Sequence, residues 1–352
     1  MNIIDYLDNY KDKSFNEVPF NELDALALAL IGYFPFSLIK EKKLTSSTIS
    51  EFLKFYQPEQ VSDRKLQDIV ILNTLCNSKR YKKIRFFDFV KKKDGQSIEQ
   101  FQAITIEFPN FLYISFCGTD ASTLGWREDL NMSFLDMVPS EVDAISYANM
   151  VRKKHPFKDI YIGGHSKGGR LAVRAGKELY KKKNLKAVFS FDGPNFTDSF
   201  YDEKYEEVKS LIYEYAPNES IIGRLISDRP KIIIQSNAKS IYQHDAYTWQ
   251  VDEDHFVHLD NYTARSNKIA KITKAAFEKF DYETKSIVVN TLFDVADKLN
   301  IHHLKPDEKV PALVMGILST LRIEWKNIPK ENRKIVSHFI LSFILLVIQT
   351  KE

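Results

Sequence analysis

The chain has 352 residues, 44% of them hydrophobic and 28% charged, with 50 Lys and Arg against 47 Asp and Glu for a formal net charge of +3. Such a composition can fill a folded core and excludes a disordered chain, and so small a net charge leaves no strong field to recruit nucleic acid. Two cysteines make no disulfide framework and point to a reducing, cytoplasmic setting, while the segment from Met1 to Tyr6 lacks the pattern of a secretory signal.

In chain order, Asn21 to Phe34 reads as a helix with Asn21 as its cap and Asp24 as a capping-box partner, apolar nearly all round and therefore buried. Thr48 to Phe55 and Asp63 to Cys76 read as further helices, so residues 1–80 form a helical N-terminal region. Alternation of apolar and polar residues predicts strands over Ile84 to Val90, Gln102 to Phe108 and Leu112 to Phe116. Val138 to Lys154 is helical in pattern and ends at His155-Pro156. A short strand, Asp159 to Ile162, runs into glycines, and a helix follows over Gly168 to Lys183. Strands are expected again at Ala187 to Phe191, Leu211 to Tyr215 and Lys231 to Gln235. Strands alternating with helices predict a mostly parallel sheet with helices on both faces, spanning residues 81–265. Residues 266–352 carry only helical patterns, including Ser286 to Leu299, Pro311 to Trp325 and Glu331 to Gln349. The apolar run Phe339 to Ile348 is shorter than the roughly 20 residues that span a bilayer.

The chemistry concentrates in Gly164-His165-Ser166-Lys167-Gly168. This G-x-S-x-G follows a predicted strand and opens a helix, the setting in which a serine hydroxyl is lifted out of a tight turn as a nucleophile. A glycine-rich turn that merely packs a helix on a sheet is the plainer alternative. A serine needs a base, and the base an orienting acid. Of the histidines downstream, His244 sits in a polar, turn-like stretch after a strand, where a base belongs. His302 and His303 follow a helix end, His338 lies within an apolar helix, and His255 and His258 share an acidic loop without metal-ligand spacing. Asp192, directly after the strand ending at Phe191, is the favoured acid, and Glu219 in the turn after Tyr215 is its rival. Oxyanion donors are expected from the Lys167 backbone N–H and from Thr119, which offers both N–H and hydroxyl. Cys117 reads as a small buried residue.

These residues resemble those of the class 3 lipases. Phe116-Cys117-Gly118-Thr119-Asp120 followed by Gly125-Trp126-Arg127-Glu128-Asp129-Leu130 is similar to their F-R-G-T and W-x-x-D-L signatures. Gly164 to Gly169 is similar to their G-H-S-L-G-G turn, and His244 to Trp249 to the segment holding their base. A still closer resemblance is to an uncharacterised bacterial family of lipase-like proteins, through Pro19 to Leu26, Phe191 to Pro194 and Ser236 to Lys239. The resemblance implies an α/β-hydrolase fold with helical extensions at both ends, Ser166 as nucleophile, His244 as base, and Thr119 with Lys167 as the oxyanion pair. Two positions depart from the pattern. Cys117 stands where those lipases have Arg, and the turn that usually carries their acid reads Asn218-Glu219-Ser220 without Asp, so that either Glu219 substitutes or the acid has moved to Asp192.

The expected activity is a serine hydrolase cleaving carboxylic esters, of a lipid or another acyl group, through an acyl-enzyme on Ser166, without cofactor or metal. The alternative is a non-catalytic protein that binds a lipid or a partner on the same fold. The basic runs Lys91 to Lys93 and Lys181 to Lys183 lack interleaved aromatics for nucleic-acid binding. The tail segment Ile335 to Ile348 suits core packing, or peripheral contact with a membrane surface.

Overall fold

The computed structural model describes residues 1–40, 44–57, 63–81, 83–120, 122–180, 184–298 and 325–349. Eight strands form one sheet in strict sequence order: β1 (Leu44–Thr45), β2 (Arg85–Asp94), β3 (Glu99–Glu107), β4 (Phe111–Phe116), β5 (Asp159–His165), β6 (Leu185–Phe191), β7 (Ile212–Pro217) and β8 (Ile232–Ile234). Pairing is antiparallel from β1 to β4 and parallel from β4 to β8. The predicted parallel sheet is therefore present, with an antiparallel meander on its N-terminal side. A two-stranded hairpin, β9 (Val251–Asp252) and β10 (His255–Phe256), pairs separately and is joined to the end of β8 by backbone bonds from its flanks to Ile233 and Gln235.

Parallel strands require crossovers. The links from β4 to β7 are α5 (Thr123–Asn131) with α6 (Pro139–Lys154), then α7 (Lys167–Leu179), then α8 (Glu203–Val208). Right-handed crossovers between strands in sequence order place every connecting helix on one face. That face is packed by Leu112, Ile114 and Phe116 of β4 and Ile160 and Ile162 of β5, in one cluster with Ala144, Ala148, Leu171 and Ala175. The intervening side chains point to the opposite face, as the two-residue period of a strand dictates.

The opposite face is covered by the N-terminal region. Helices α1 (Ile3–Tyr10), α2 (Glu22–Leu30), α3 (Ser46–Phe55) and α4 (Asp63–Asn77) precede most of the sheet in the chain. Residues Leu23 to Leu30 of α2 are all buried, in one cluster with Tyr113, Ala187, Phe189 and Phe191. Two strand side chains reach the α2 backbone: Tyr113 Oη donates to Ala25 O at 2.8 Å and Ser115 Oγ to Leu28 O at 2.8 Å. The helix is short because Asn21 caps it with a reciprocal Asp24 capping box and a 3-10 turn, Ile31–Tyr33, closes it ahead of Pro35.

Asp24 also anchors the region. Arg80 donates to its two oxygens through Nε at 2.9 Å and Nη2 at 2.5 Å, and the hydroxyls of Tyr6 and Tyr81 donate to Oδ1. Arg80 further bonds the Val18 carbonyl at 2.9 Å and lies 4.0 Å over the Phe15 ring. Both charged side chains are wholly buried, so each depends on the other for its solvation.

Beyond the sheet lie α9 (Ala264–Lys279), α10 (Tyr282–Lys298) and α11 (Lys330–Gln349). Arg127 of α5 bonds Asn290 at 2.8 Å and Asp294 at 3.2 Å on α10. The helix expected over Pro311 to Trp325 lies outside the described residues except for its last, and so do the ends of those expected to reach Lys183 and Leu299. No helix among the described residues is long and apolar enough to cross a membrane. Helix α1, with Ile3, Tyr6 and Leu7 buried at the i, i+3, i+4 spacing of one helix face, adds to the helices expected in the first eighty residues, and the two-residue strand β1 is the exception among them.

Replacing Arg80 by Ala leaves Asp24 as an unpaired buried carboxylate and is expected to lower unfolding stability by about 3–5 kcal/mol in urea titrations. The pair Arg80→Met with Asp24→Asn removes both charges and costs less.

Candidate active site

Strand β5 ends at His165 and helix α7 begins at Lys167, leaving Ser166 alone to make the turn. Its backbone has φ +58° and ψ −132°, a region that costs a non-glycine residue about 1–3 kcal/mol. Neighbouring glycines make this geometry fit. A Cβ on Gly168 would lie 2.1 Å from the Phe116 carbonyl oxygen, and one on Gly164 would lie 2.3 Å from the Gly168 carbonyl carbon. Strand, turn and helix thus pass in backbone contact. From Ile162 to Lys177 every residue is buried except Ser166, which is partly exposed. A parallel sheet whose strand-turn-helix presents a serine in this way is the α/β-hydrolase fold.

The carboxyl ends of the neighbouring strands converge on the turn. Asp192 follows β6, is wholly buried, and takes φ +50°. Its Oδ2 accepts from His244 Nδ1 at 2.6 Å. Its Oδ1 accepts from Ser220 Oγ at 2.5 Å and from the Gly223 N–H at 3.1 Å. Because Nδ1 faces an acceptor it carries the proton of the neutral ring, which leaves Nε2 as the basic nitrogen. The His244 side chain keeps 22% of its surface exposed.

The segment carrying His244 is fastened on several sides. His165 Nε2 donates to the His244 carbonyl at 2.8 Å, so its Nδ1 accepts from the Tyr33 hydroxyl at 3.0 Å. Trp249 Nε1 donates to Gln243 O at 2.7 Å, and Tyr247 Oη to Asp68 of α4 at 2.5 Å. Glu219 takes part as a brace: its Oε2 accepts from the Ser240 N–H at 2.5 Å, and its own N–H donates to Gln243 Oε1 at 2.8 Å. The geometry therefore places Asp192 on His244 and Glu219 on the backbone beside it.

Thr119 comes from the end of β4. Phe116 of β4 pairs with Gly164 of β5, and the Cβ position of Gly118 lies 2.7 Å from the His165 carbonyl, so Thr119 emerges beside Ser166. Its hydroxyl lies 2.5 Å from Asp129 Oδ2 of α5. The Lys167 side chain turns inward, where its ammonium bonds Gln100 O at 2.7 Å, Gln100 Oε1 at 2.6 Å and Glu128 Oε2 at 3.0 Å. Glu128 also accepts the N–H groups of Gln100 and Ser140, each at 3.0 Å. Burial pushes the Asp129 carboxyl up to about 6; adjacent Glu128 adds to this, while Lys167, the Thr119 hydroxyl and His244 pull the other way.

Sequence reasoning gave no role to Glu128, Asp129, Ser220 or Tyr33. Glu128 and Asp129 lie within the quoted Trp126-Arg127-Glu128-Asp129-Leu130 segment, whereas Ser220 and Tyr33 carry no signal without the fold. Elsewhere, His255 pairs weakly with Asp254 at 3.4 Å, His258 bridges Ile234, and His338 packs against Phe280. His302 and His303 lie outside the described residues. Among the described residues no three His, Cys, Asp or Glu side chains come together to hold a metal ion.

The profile of the family described as Mbeg1-like matches residues 75–294. No curated protein sequence matches the chain. Among solved structures, a fungal lipase shares 11% identity over 69% of this chain and 87% of its own, with a TM-score of 0.43. Lipase II from Rhizopus niveus shares 10% over 61% and 79%, with a TM-score of 0.38. The lipase from Rhizopus microsporus var. chinensis shares 14% over 76% and 82%, with a TM-score of 0.40.

Strain at Ser166 has a thermodynamic signature. Ser166→Gly, which relieves the positive φ, is expected to be more stable than Ser166→Ala, which keeps it, by about 1–2 kcal/mol in thermal or urea unfolding.

Proposed function

We propose that this chain, which belongs to the Mbeg1-like family, is a bacterial, cytoplasmic serine hydrolase that cleaves carboxylic esters through an acyl-enzyme on Ser166. The observation that carries the reading is the 2.6 Å hydrogen bond from His244 Nδ1 to a buried Asp192, at the strand ends where Ser166 stands in a strained, partly exposed turn.

In the proposed mechanism the substrate carbonyl lies over Ser166. The hydroxyl attacks as His244 Nε2 takes its proton, and Asp192 remains ionised, holding the ring in the right tautomer and stabilising the imidazolium. The tetrahedral oxyanion is met by the backbone N–H groups of Lys167, in the first turn of α7, and of Thr119. His244 then protonates the leaving alcohol. A water repeats the sequence on the acyl-enzyme and frees the acid.

The turn that lacks Asp, the motive for a non-catalytic reading, serves this arrangement in another way. Ser220 and Gly223 from that turn hold the Asp192 carboxylate in place. A nucleic-acid role draws no support from the basic run at residues 91–93, where Lys92 pairs with Asp143 and Lys93 with Asp120. Cys76 and Cys117 are both buried thiols, as suits a reducing compartment. A small acyl ester or a lipid is the expected substrate class.

A fluorophosphonate probe is expected to label the wild type and not Ser166→Ala; equal labelling of both, or of neither, removes the hydrolase reading. Asp192→Asn is expected to lower kcat on the order of 10⁴-fold on a soluble ester. Glu219→Gln is expected to cost less than about tenfold, and the reverse ranking would make Glu219 the acid.

A further inference from the structure

We propose that Asp129 works as a neutral carboxylic acid whose proton is donated to Thr119 Oγ1, so that the Thr119 hydroxyl proton is released toward the oxyanion. The proposal rests on the hydrolase reading above and concerns which donors that site can offer.

Thr119 Oγ1 and Asp129 Oδ2 are 2.5 Å apart, close enough for one shared proton. A threonine hydroxyl has a single proton. If Asp129 is a carboxylate, that proton is committed to it and none remains for the oxyanion. If Asp129 carries the proton, Thr119 Oγ1 accepts and its own O–H is free to turn.

The surroundings favour the second arrangement. Asp129 Oδ1 is enclosed and has no hydrogen-bond partner among the described residues, which is costly for a charged oxygen and far less so for the carbonyl of a neutral acid. The nearest cation cannot serve it, because all three protons of the Lys167 ammonium are taken by Gln100 O, Gln100 Oε1 and Glu128 Oε2. Lys167 and Glu128 offset one another, so an ionised Asp129 would be the unbalanced charge. The charged or titratable groups facing it are Glu128 on its own helix, Lys167 from α7 and His244 from the base-bearing segment; burial outweighs the attraction of the two cations and pushes the carboxyl up to about 6. During the reaction an oxyanion beside Thr119 opposes ionisation of Asp129, as a like charge, while the His244 imidazolium formed at the same time favours it. Asp129 is thus a positioning residue that acts through Thr119.

The test measures kcat/KM against pH on a short, soluble p-nitrophenyl ester for wild type, Asp129→Asn and Thr119→Val, with fluorophosphonate labelling of Ser166 as the control. The acid form is present below about pH 6 and is lost above it, so the ratio of wild-type to Thr119→Val kcat/KM, in which pH effects common to both enzymes cancel, is expected to fall with rising pH by as much as about a hundredfold. Asp129→Asn, whose amide donates to Thr119 Oγ1 at every pH, is expected to keep a constant ratio to Thr119→Val and to exceed the wild type at about pH 8 by tenfold or more. At about pH 8 the wild type is expected to approach Thr119→Val. A ratio to Thr119→Val that falls equally for Asp129→Asn, or a wild-type ratio that does not fall while Ser166 labels normally, overturns the proposal. If Ser166 does not label at all, the hydrolase reading fails separately. Infrared difference spectra between about pH 5 and pH 8 then decide the state of Asp129: a protonated carboxyl band that is absent from Asp129→Asn supports the acid form, and its absence from the wild type refutes it.

Discussion

A sheet whose strands lie in sequence order, joined by crossovers of one hand, can cover only one of its faces with its own connecting helices. The other face must be covered from elsewhere in the chain. Here α2 does so, and its composition suits a helix pressed between the sheet and its neighbours, with Leu23 to Leu30 buried without exception. Two strand hydroxyls, on Tyr113 and Ser115, bond its backbone directly. The Asp24–Arg80 pair fixes its start, and the 3-10 turn after it carries Tyr33 to His165. The same cover therefore closes the core and reaches the residue beside the nucleophile.

At the carboxyl edge, function is assembled from successive strand ends. Thr119 follows β4, Ser166 follows β5, Asp192 follows β6, and the turn after β7 supports Asp192 through Ser220. The geometry depends on backbone contact between β4, β5 and α7, since the space beside Gly164 and Gly168 is already filled by carbonyl groups. Several charged groups buried beneath this edge are bonded to more than one element. The inward Lys167 ammonium is a clear case, linking α7 to β3 and α5 through Gln100 and Glu128. Asp129 Oδ1, like Ser190 Oγ and Asn195 Oδ1, is enclosed with no hydrogen-bond partner among the described residues.

Much of the fold was legible because its elements obey simple periodicity. The predicted strands lie within a residue or two of β2 to β8, apart from longer ends where β2 runs on to Asp94, β3 begins at Glu99 and β5 runs on to His165. The Asn21 cap with Asp24 was readable from spacing alone. Helix α5 was not, because Thr123–Asn131 mixes apolar, charged and glycine residues without a periodic face, and Ser122 caps it through a single bond. For the site, local signals picked out Ser166, Asp192, Glu219, His244, Thr119 and Lys167. Sequence favoured Asp192 and kept Glu219 as a rival, since both follow strands and only the path of the backbone decides which carboxylate meets the imidazole. It also assigned the Thr119 hydroxyl to the oxyanion without seeing Asp129, ten residues further on, at hydrogen-bond distance from it.

The cover of the second face has a consequence for how the protein is made. On the ribosome α2 emerges well before β4, β5 and β6, the strands it lies across. Until residue 191 has left the exit tunnel, this apolar helix has no complete surface to dock on, and its burial waits on contacts of long sequence separation. An apolar helix made ahead of the strands it covers is thus sheltered late, which makes nascent chains halted between α2 and β6 the species most in need of a chaperone.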